Sequence, residues 1–185
     1  MVKVKTVVTL AAEMLGAKER VERYVNGTGD SEDQRIADAL VSCYNLVETE
    51  IATDRVPIVV EEKLEAYENF IYYTDFSETP AFILSVCDRF GCEAEAKIGA
   101  KAIEVPKGLY TVRYAKIPSE KSMDDNSELL MNVSARTLAY GVAAEYCLHT
   151  GAYAEHAVWE KKYRESLAVD TRSRRAKFVK GRKWV

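Results

Sequence analysis

Two histidines, four cysteines and a few clustered carboxylates are the residues of this 185-residue chain whose types suit catalysis or metal binding. His149 and His156 sit on opposite sides of a short glycine-containing turn, yet no further His or Cys falls at ligand spacing, so surface histidines are expected rather than a metal centre. Cys147 lies two residues from His149, and positions i and i+2 of a helix point apart, which denies the thiol an adjacent base. Cys87 and Cys92 bracket Asp88-Arg89-Phe90-Gly91, a hairpin-turn sequence, and read as packing thiols. Asp124-Asp125 and Glu128 precede an apolar helical pattern and suit helix capping and dipole stabilisation better than hydrolysis. Glu61-Glu62 and Glu48 with Glu50 read as solvated faces. Gly27 and Gly29 belong to neither GxGxxG nor GxxxxGK[ST], so no phosphate cradle is indicated. The sequence points to no catalytic residue, no metal ligand and no cofactor.

Charge is distributed with more purpose. Residues 171–185 carry seven bases (Arg172, Arg174, Arg175, Lys177, Lys180, Arg182 and Lys183) and no acid. The other 19 bases stand against all 29 acids, so a body of formal charge −10 bears an arm of +7. Phe178, Val179, Trp184 and Val185 are interleaved with those bases, and Arg and Trp are side chains that dominate interface energies. Such an arm is suited to an acidic protein surface or to a nucleic acid, and charge alone does not choose. Fifteen extended residues span roughly 50 Å.

The elements that must position this arm follow from periodicity. Helices are expected over residues 6–15 and 18–25, and from Asp30-Ser31-Glu32-Asp33, an N-cap with an acidic first turn, to about Thr53. Between Pro57 and Pro118 come short β-branched or aromatic segments: 58–60, 70–73, 82–86, 94–98 and 109–114. Turn residues such as Glu68-Asn69 and Pro106-Lys107-Gly108 separate them, which implies an antiparallel sheet. In the last segment Tyr110, Val112 and Tyr114 face one way and Thr111, Arg113 and Ala115 the other. A helix from about Glu128 to Thr150, with Leu130 among its buried positions, a break at Gly151, and a helix from Tyr153 to Val169 make an αα-hairpin. The fold class expected is α+β: a helical N-terminal part, a central antiparallel β lobe (57–118) and the C-terminal hairpin form one domain over residues 1–170, followed by an extended basic arm. No apolar run approaches the length of a membrane span, and Met1-Val2-Lys3-Val4-Lys5 is not followed by a signal-peptide pattern, so synthesis in a reducing cytoplasm is expected.

The order of segments from Leu109 onward is specific. A strand containing Tyr114 runs into Pro118 (Y-x-x-x-P), an acidic spacer follows, and then come the helix Tyr140-Gly141-Val142-Ala143-Ala144-Glu145 (YG-x-AAE) and Trp159-Glu160-Lys161-Lys162-Tyr163. This resembles the head-tail connector (adaptor, neck) proteins of tailed bacteriophages and prophages over roughly the last eighty residues. The resemblance implies a non-enzymatic virion protein of the neck, made in the host bacterial cytoplasm. It implies a ring of probably twelve copies docked under the portal protein, which extends the DNA channel and joins a tail or stopper component. DNA would pass without specific recognition, and no membrane would be involved. Portal docking would fall to Arg172, Arg174, Arg175, Lys177, Phe178, Lys180, Arg182, Lys183 and Trp184. A β-rich insertion larger than that of the leanest adaptors is the departure from the pattern. The alternative from another class is a small nucleic-acid-binding protein that uses the same arm on phosphates.

Overall fold

The computed structural model describes residues 2–129 and 133–172. The fold is α+β, with small antiparallel sheets, and the described chain forms two compact units. One contains residues 45–129; the other contains residues 4–44 with 133–172.

In the helical unit, α1 (Val4–Met14) buries Val4, Val7, Val8, Ala11 and Ala12, the stripe that a 3.6-residue repeat dictates. It starts two residues earlier than the apolar pattern suggested. Helix α2 (Lys18–Val25) has the expected bounds. Helix α3 (Ser31–Glu50) is capped by Asp30, whose Oδ1 accepts the N–H groups of Glu32 and Asp33 at 2.9 Å each. The Asp33 side chain, 1% exposed, takes a two-pronged hydrogen bond from Arg23, both contacts 2.7 Å, and this fastens the start of α3 to α2. Helix α4 (Ala135–Thr150) is the centre of the unit, in contact with α1 on one hand and with α5 (Tyr153–Arg172) on the other. Its small residues Gly141, Ala143 and Ala144 are buried, as close helix approach requires.

In the other unit the last turn of α3 widens into a π-type turn at Ile51–Arg55. Six strands follow: β1 (Ile58–Ala66), β2 (Phe70–Tyr72), β3 (Pro80–Cys87), β4 (Lys97–Ile98), β5 (Ala102–Glu104) and β6 (Gly108–Lys116). They make two antiparallel sheets, ordered β1-β6-β3 and β2-β5-β4. Tyr110, Val112 and Tyr114 of β6 turn inward as read from the sequence, at 8%, 0% and 0% exposure, although Ala115 of the other set is fully buried as well. Tyr110, Val112 and Tyr114 share one core with Ile71 and Ile103, which sit directly opposite each other across β2 and β5, and with Phe76, whose ring meets Tyr114 edge-on at 4.8 Å. Between β1 and β2, Glu68 and Asn69 both adopt positive φ (47° and 70°), and Tyr67 and Phe70 exchange backbone hydrogen bonds at 2.8 and 2.7 Å. That is the mirror-image turn whose twist suits a two-residue hairpin.

Three expectations are corrected. Helix α4 begins at Ala135 rather than near Glu128, because Ser134 is the N-cap, its hydroxyl accepting Thr137 N–H at 3.1 Å. Residues 117–129 instead run as a strap, held by side chains described below; Leu130 lies outside the described residues. Only Lys97 and Ile98 of the segment 94–98 are strand, and Ala102–Glu104 pairs between β2 and β4. Helix α5 continues through Thr171 and Arg172, so the basic arm begins as helix.

Candidate partner-binding site

The arm is presented by the αα-hairpin, whose two ends are both fixed. At the closed end Gly151 takes φ 80°, the left-handed conformation that stops α4, and Gly151 and Ala152 N–H groups return to Leu148 and Cys147 carbonyls at 3.2 and 2.8 Å. His156 Nδ1–H donates to the Ala144 carbonyl at 2.9 Å, so one of the two histidines bridges the helices rather than standing free on the surface. Midway, the rings of Tyr140 and Trp159 stack at 5.9 Å, with Lys162 Nζ 4.3 Å from the Trp159 ring centre. At the open end Asp170 Oδ2 accepts both the Ser134 N–H (3.0 Å) and the Thr137 hydroxyl (2.7 Å). The last turn of α5 is thereby tied to the first turn of α4. Tyr163 and Leu167 of α5 pack inward, whereas Val158 stays 54% exposed.

Arg172, the last described residue of α5, has its side chain exposed. Arg174, Arg175, Lys177, Phe178, Lys180, Arg182, Lys183 and Trp184 lie outside the described residues. The described residues hold 20 of the 26 bases and all 29 acids, a formal −9, and residues 173–185 hold the other six bases.

Of the carboxylates read as solvated or capping groups, Glu50 and Glu61 are exposed as expected, but Glu48, Asp125 and Glu128 have other work. Glu48 is 1% exposed, not solvated. Its Oε1 accepts the Ser127 hydroxyl at 2.7 Å and the Glu128 N–H at 2.8 Å. Asn45, one turn earlier, exchanges two hydrogen bonds with the Lys121 backbone. Glu128 caps no helix: it pairs with Lys116 at 2.6 Å, with Lys121, and with the Ser119 hydroxyl at 2.6 Å. Burial pushes the Glu128 carboxyl up, but Lys116, Lys121 and Ser119 outweigh it and hold its pKa at about 2. Lys116 is held above its ordinary range by Glu128 and Glu78 against the opposing effect of burial. Asp125 accepts Ser122 N–H at 2.7 Å inside the strap, which keeps its carboxyl below the usual range, and it too caps no helix.

A depression in the helical unit contains His149, Arg35 and Glu32, but the last two are committed to each other at 3.0 Å. All four cysteines are free; burial raises the pKa of Cys147 and takes that of Cys43 to about 11, so neither is a poised thiolate. Among the described residues no group of three or more His, Cys, Asp or Glu side chains is placed to hold a metal ion.

The sequence reading missed a groove of about 620 Å³ beside β3, lined by Phe76, Phe82, Ile83, Ile98 and Gly99 among others. Its one sequence signal is that β3, Pro-Ala-Phe-Ile-Leu-Ser-Val-Cys, has no charged residue at all. No helix among the described residues is long and apolar enough to cross a membrane. No protein-family model matches this chain, and no curated protein matches it.

Proposed function

We propose that this chain is a virion structural protein of the head-tail connector class, an adaptor that docks beneath a portal as a ring, extends the DNA channel and receives a tail or stopper component. The observation that carries the reading is the segregation of charge: an acidic folded body (−9) followed, directly after a firmly held helix end, by six bases interleaved with Phe178 and Trp184. A helix end tied down by Asp170 gives the arm a defined point of departure, and thirteen residues reach roughly 45 Å. An acidic body also suits a conduit for DNA, because carboxylates do not retain phosphates. The resemblance over the strand, the YG-x-AAE helix and the following helix supplies the identity of the partner, the portal, and of the ring.

Mixing the full-length protein with its purified cognate portal should give a defined ring complex, and deletion of residues 171–185 should abolish it. Folded, intact protein that ignores the portal would reject the adaptor reading. Tight, steeply salt-dependent DNA binding lost with the same deletion would favour the nucleic-acid alternative instead.

A further inference from the structure

Helix α5 has its inner side on Tyr163 and Leu167, with Trp159, His156 and Asp170 turned towards α4 beside them. The 3.6-residue repeat puts Ala154, Val158, Lys161, Glu165, Ala168 and Arg172 on the opposite side, and all six are exposed. Ala157 and Val169 flank that row and are exposed too. The outward side of a surface helix is ordinarily charged or polar. Here five of the eight positions are alanine or valine, and Val158 and Val169 stand 54% and 66% exposed. Valine also lowers helix propensity through its restricted χ1, so the helix itself explains neither residue.

The row is spaced by 4, 3, 4, 3 and 4 residues, the seam of a coiled coil. When two copies of α5 lie antiparallel about a two-fold axis level with Tyr163, every layer of that seam is complementary. Val158 meets the partner's Ala168, large against small. Lys161 meets the partner's Glu165, and Glu165 meets the partner's Lys161. Arg172 meets the partner's Ala154, while Ala157 and Val169 approach one another beside the seam. Parallel pairing in register would instead set lysine on lysine and glutamate on glutamate, so charge selects the antiparallel arrangement. Both charges are free for it. Arg164, off the seam, pairs with Glu160, but among the described residues neither Lys161 nor Glu165 enters an ion pair. Lysine ahead of glutamate is also the less favourable order for a pair along one helix.

We infer that this face of α5 docks on the same face of a second copy, with Lys161 and Glu165 forming two reciprocal ion pairs across the axis. The same patch serves both copies, so the contact closes at two. It is therefore not a ring contact. The inference goes beyond the adaptor reading, does not rest on it, and concerns the protein in the absence of portal. Two valines and three alanines from each copy make a small interface, so the pair is weak and forms at high concentration. The charged layers cost stability and in return fix the register.

The test is charge exchange in the full-length protein, read by sedimentation velocity from micromolar to millimolar concentration with no portal present. Portal binding is assayed separately, so the failure of either reading leaves the other standing. The unaltered protein should pass from monomer to dimer and stop there. Lys161→Glu and Glu165→Lys should each need about tenfold higher concentration or more, because like charges then oppose one another twice. An equimolar mixture of the two variants should dimerise as readily as the unaltered protein, and so should one chain carrying both substitutions. Recovery in the mixture has no explanation within a single helix. Both positions are exposed, and far-UV circular dichroism verifies that each variant is folded. Unaltered protein that stays monomeric at millimolar concentration, single variants that dimerise as readily as it does, or a mixture that fails to recover would each overturn the inference. Association that runs past two copies and ignores both exchanges belongs to another surface and overturns it as well.

Discussion

Glu48 and Ser127, 79 residues apart in sequence, meet in a buried hydrogen bond of 2.7 Å, and the same carboxylate oxygen takes the Glu128 N–H. Two hydrogen bonds to one buried carboxyl group mean that truncation strands both donors. Glu48→Ala should cost about 2–4 kcal/mol, read as a lowered midpoint of urea unfolding, and Asn45→Ala about 1–2 kcal/mol. Equal stability of Glu48→Ala and the parent would show that the strap is not held in this way.

The Glu128 cluster predicts acid sensitivity. Its carboxyl has a pKa of about 2 in the folded chain against 4.5 for the free group. The group therefore contributes fully above pH 4.5, and its contribution fades as pH falls from there towards 2. Unfolding free energies measured across that window should fall by up to ~3 kcal/mol more than those of Glu128→Gln, which has no proton to take up there. Parallel profiles for the two proteins would contradict the assignment.

The turn between β1 and β2 holds two non-glycine residues at positive φ, Glu68 at 47° and Asn69 at 70°. Asn and Gly tolerate that conformation better than Glu and Asn respectively. The pair Glu68→Asn with Asn69→Gly should raise stability by about 0.5–1 kcal/mol, less whatever is lost from the Lys107 N–H that Asn69 Oδ1 now accepts at 3.0 Å. Glu68→Asn alone keeps that contact and isolates the gain in thermal denaturation.

Asp170→Ala frees the Ser134 N–H and the Thr137 hydroxyl together. A loss of about 1–2 kcal/mol is expected, with hydrogen exchange quickening first in the last turn of α5. Under the adaptor reading the same variant should weaken portal binding although Asp170 precedes the arm, because the last turn of α5 is then less firmly held.

Where the determinants were local, the sequence was readable. Helix α2 and the inward turn of Tyr110, Val112 and Tyr114 in β6 follow from the spacing of apolar residues, and the β1–β2 turn was marked by Asn69. Where a residue's fate depended on a distant partner, it was not. Glu48 looked like a surface acid because Ser127 is 79 residues away. The helical pattern seemed to start at Glu128 because nothing nearby reveals that Lys116 and Lys121 claim its carboxylate. Strand β5 is three residues, Ala102–Glu104, too short to print a period. The groove was invisible for a related reason: an open sheet edge belongs to strand order, which composition does not encode.

Strand order also dictates a timetable. Strand β6 lies between β1 and β3, pairing Ile58 with Lys116 on one side and Cys87 with Thr111 on the other, and it is the last of the six strands to be made. At a synthesis rate of about 5–20 residues per second, β1 spends several seconds outside the ribosome before its neighbour exists, and apolar β3 waits with it. Nascent chains of this protein should accordingly engage holding chaperones most strongly after β3 emerges, and release them once Lys116 has cleared the exit tunnel.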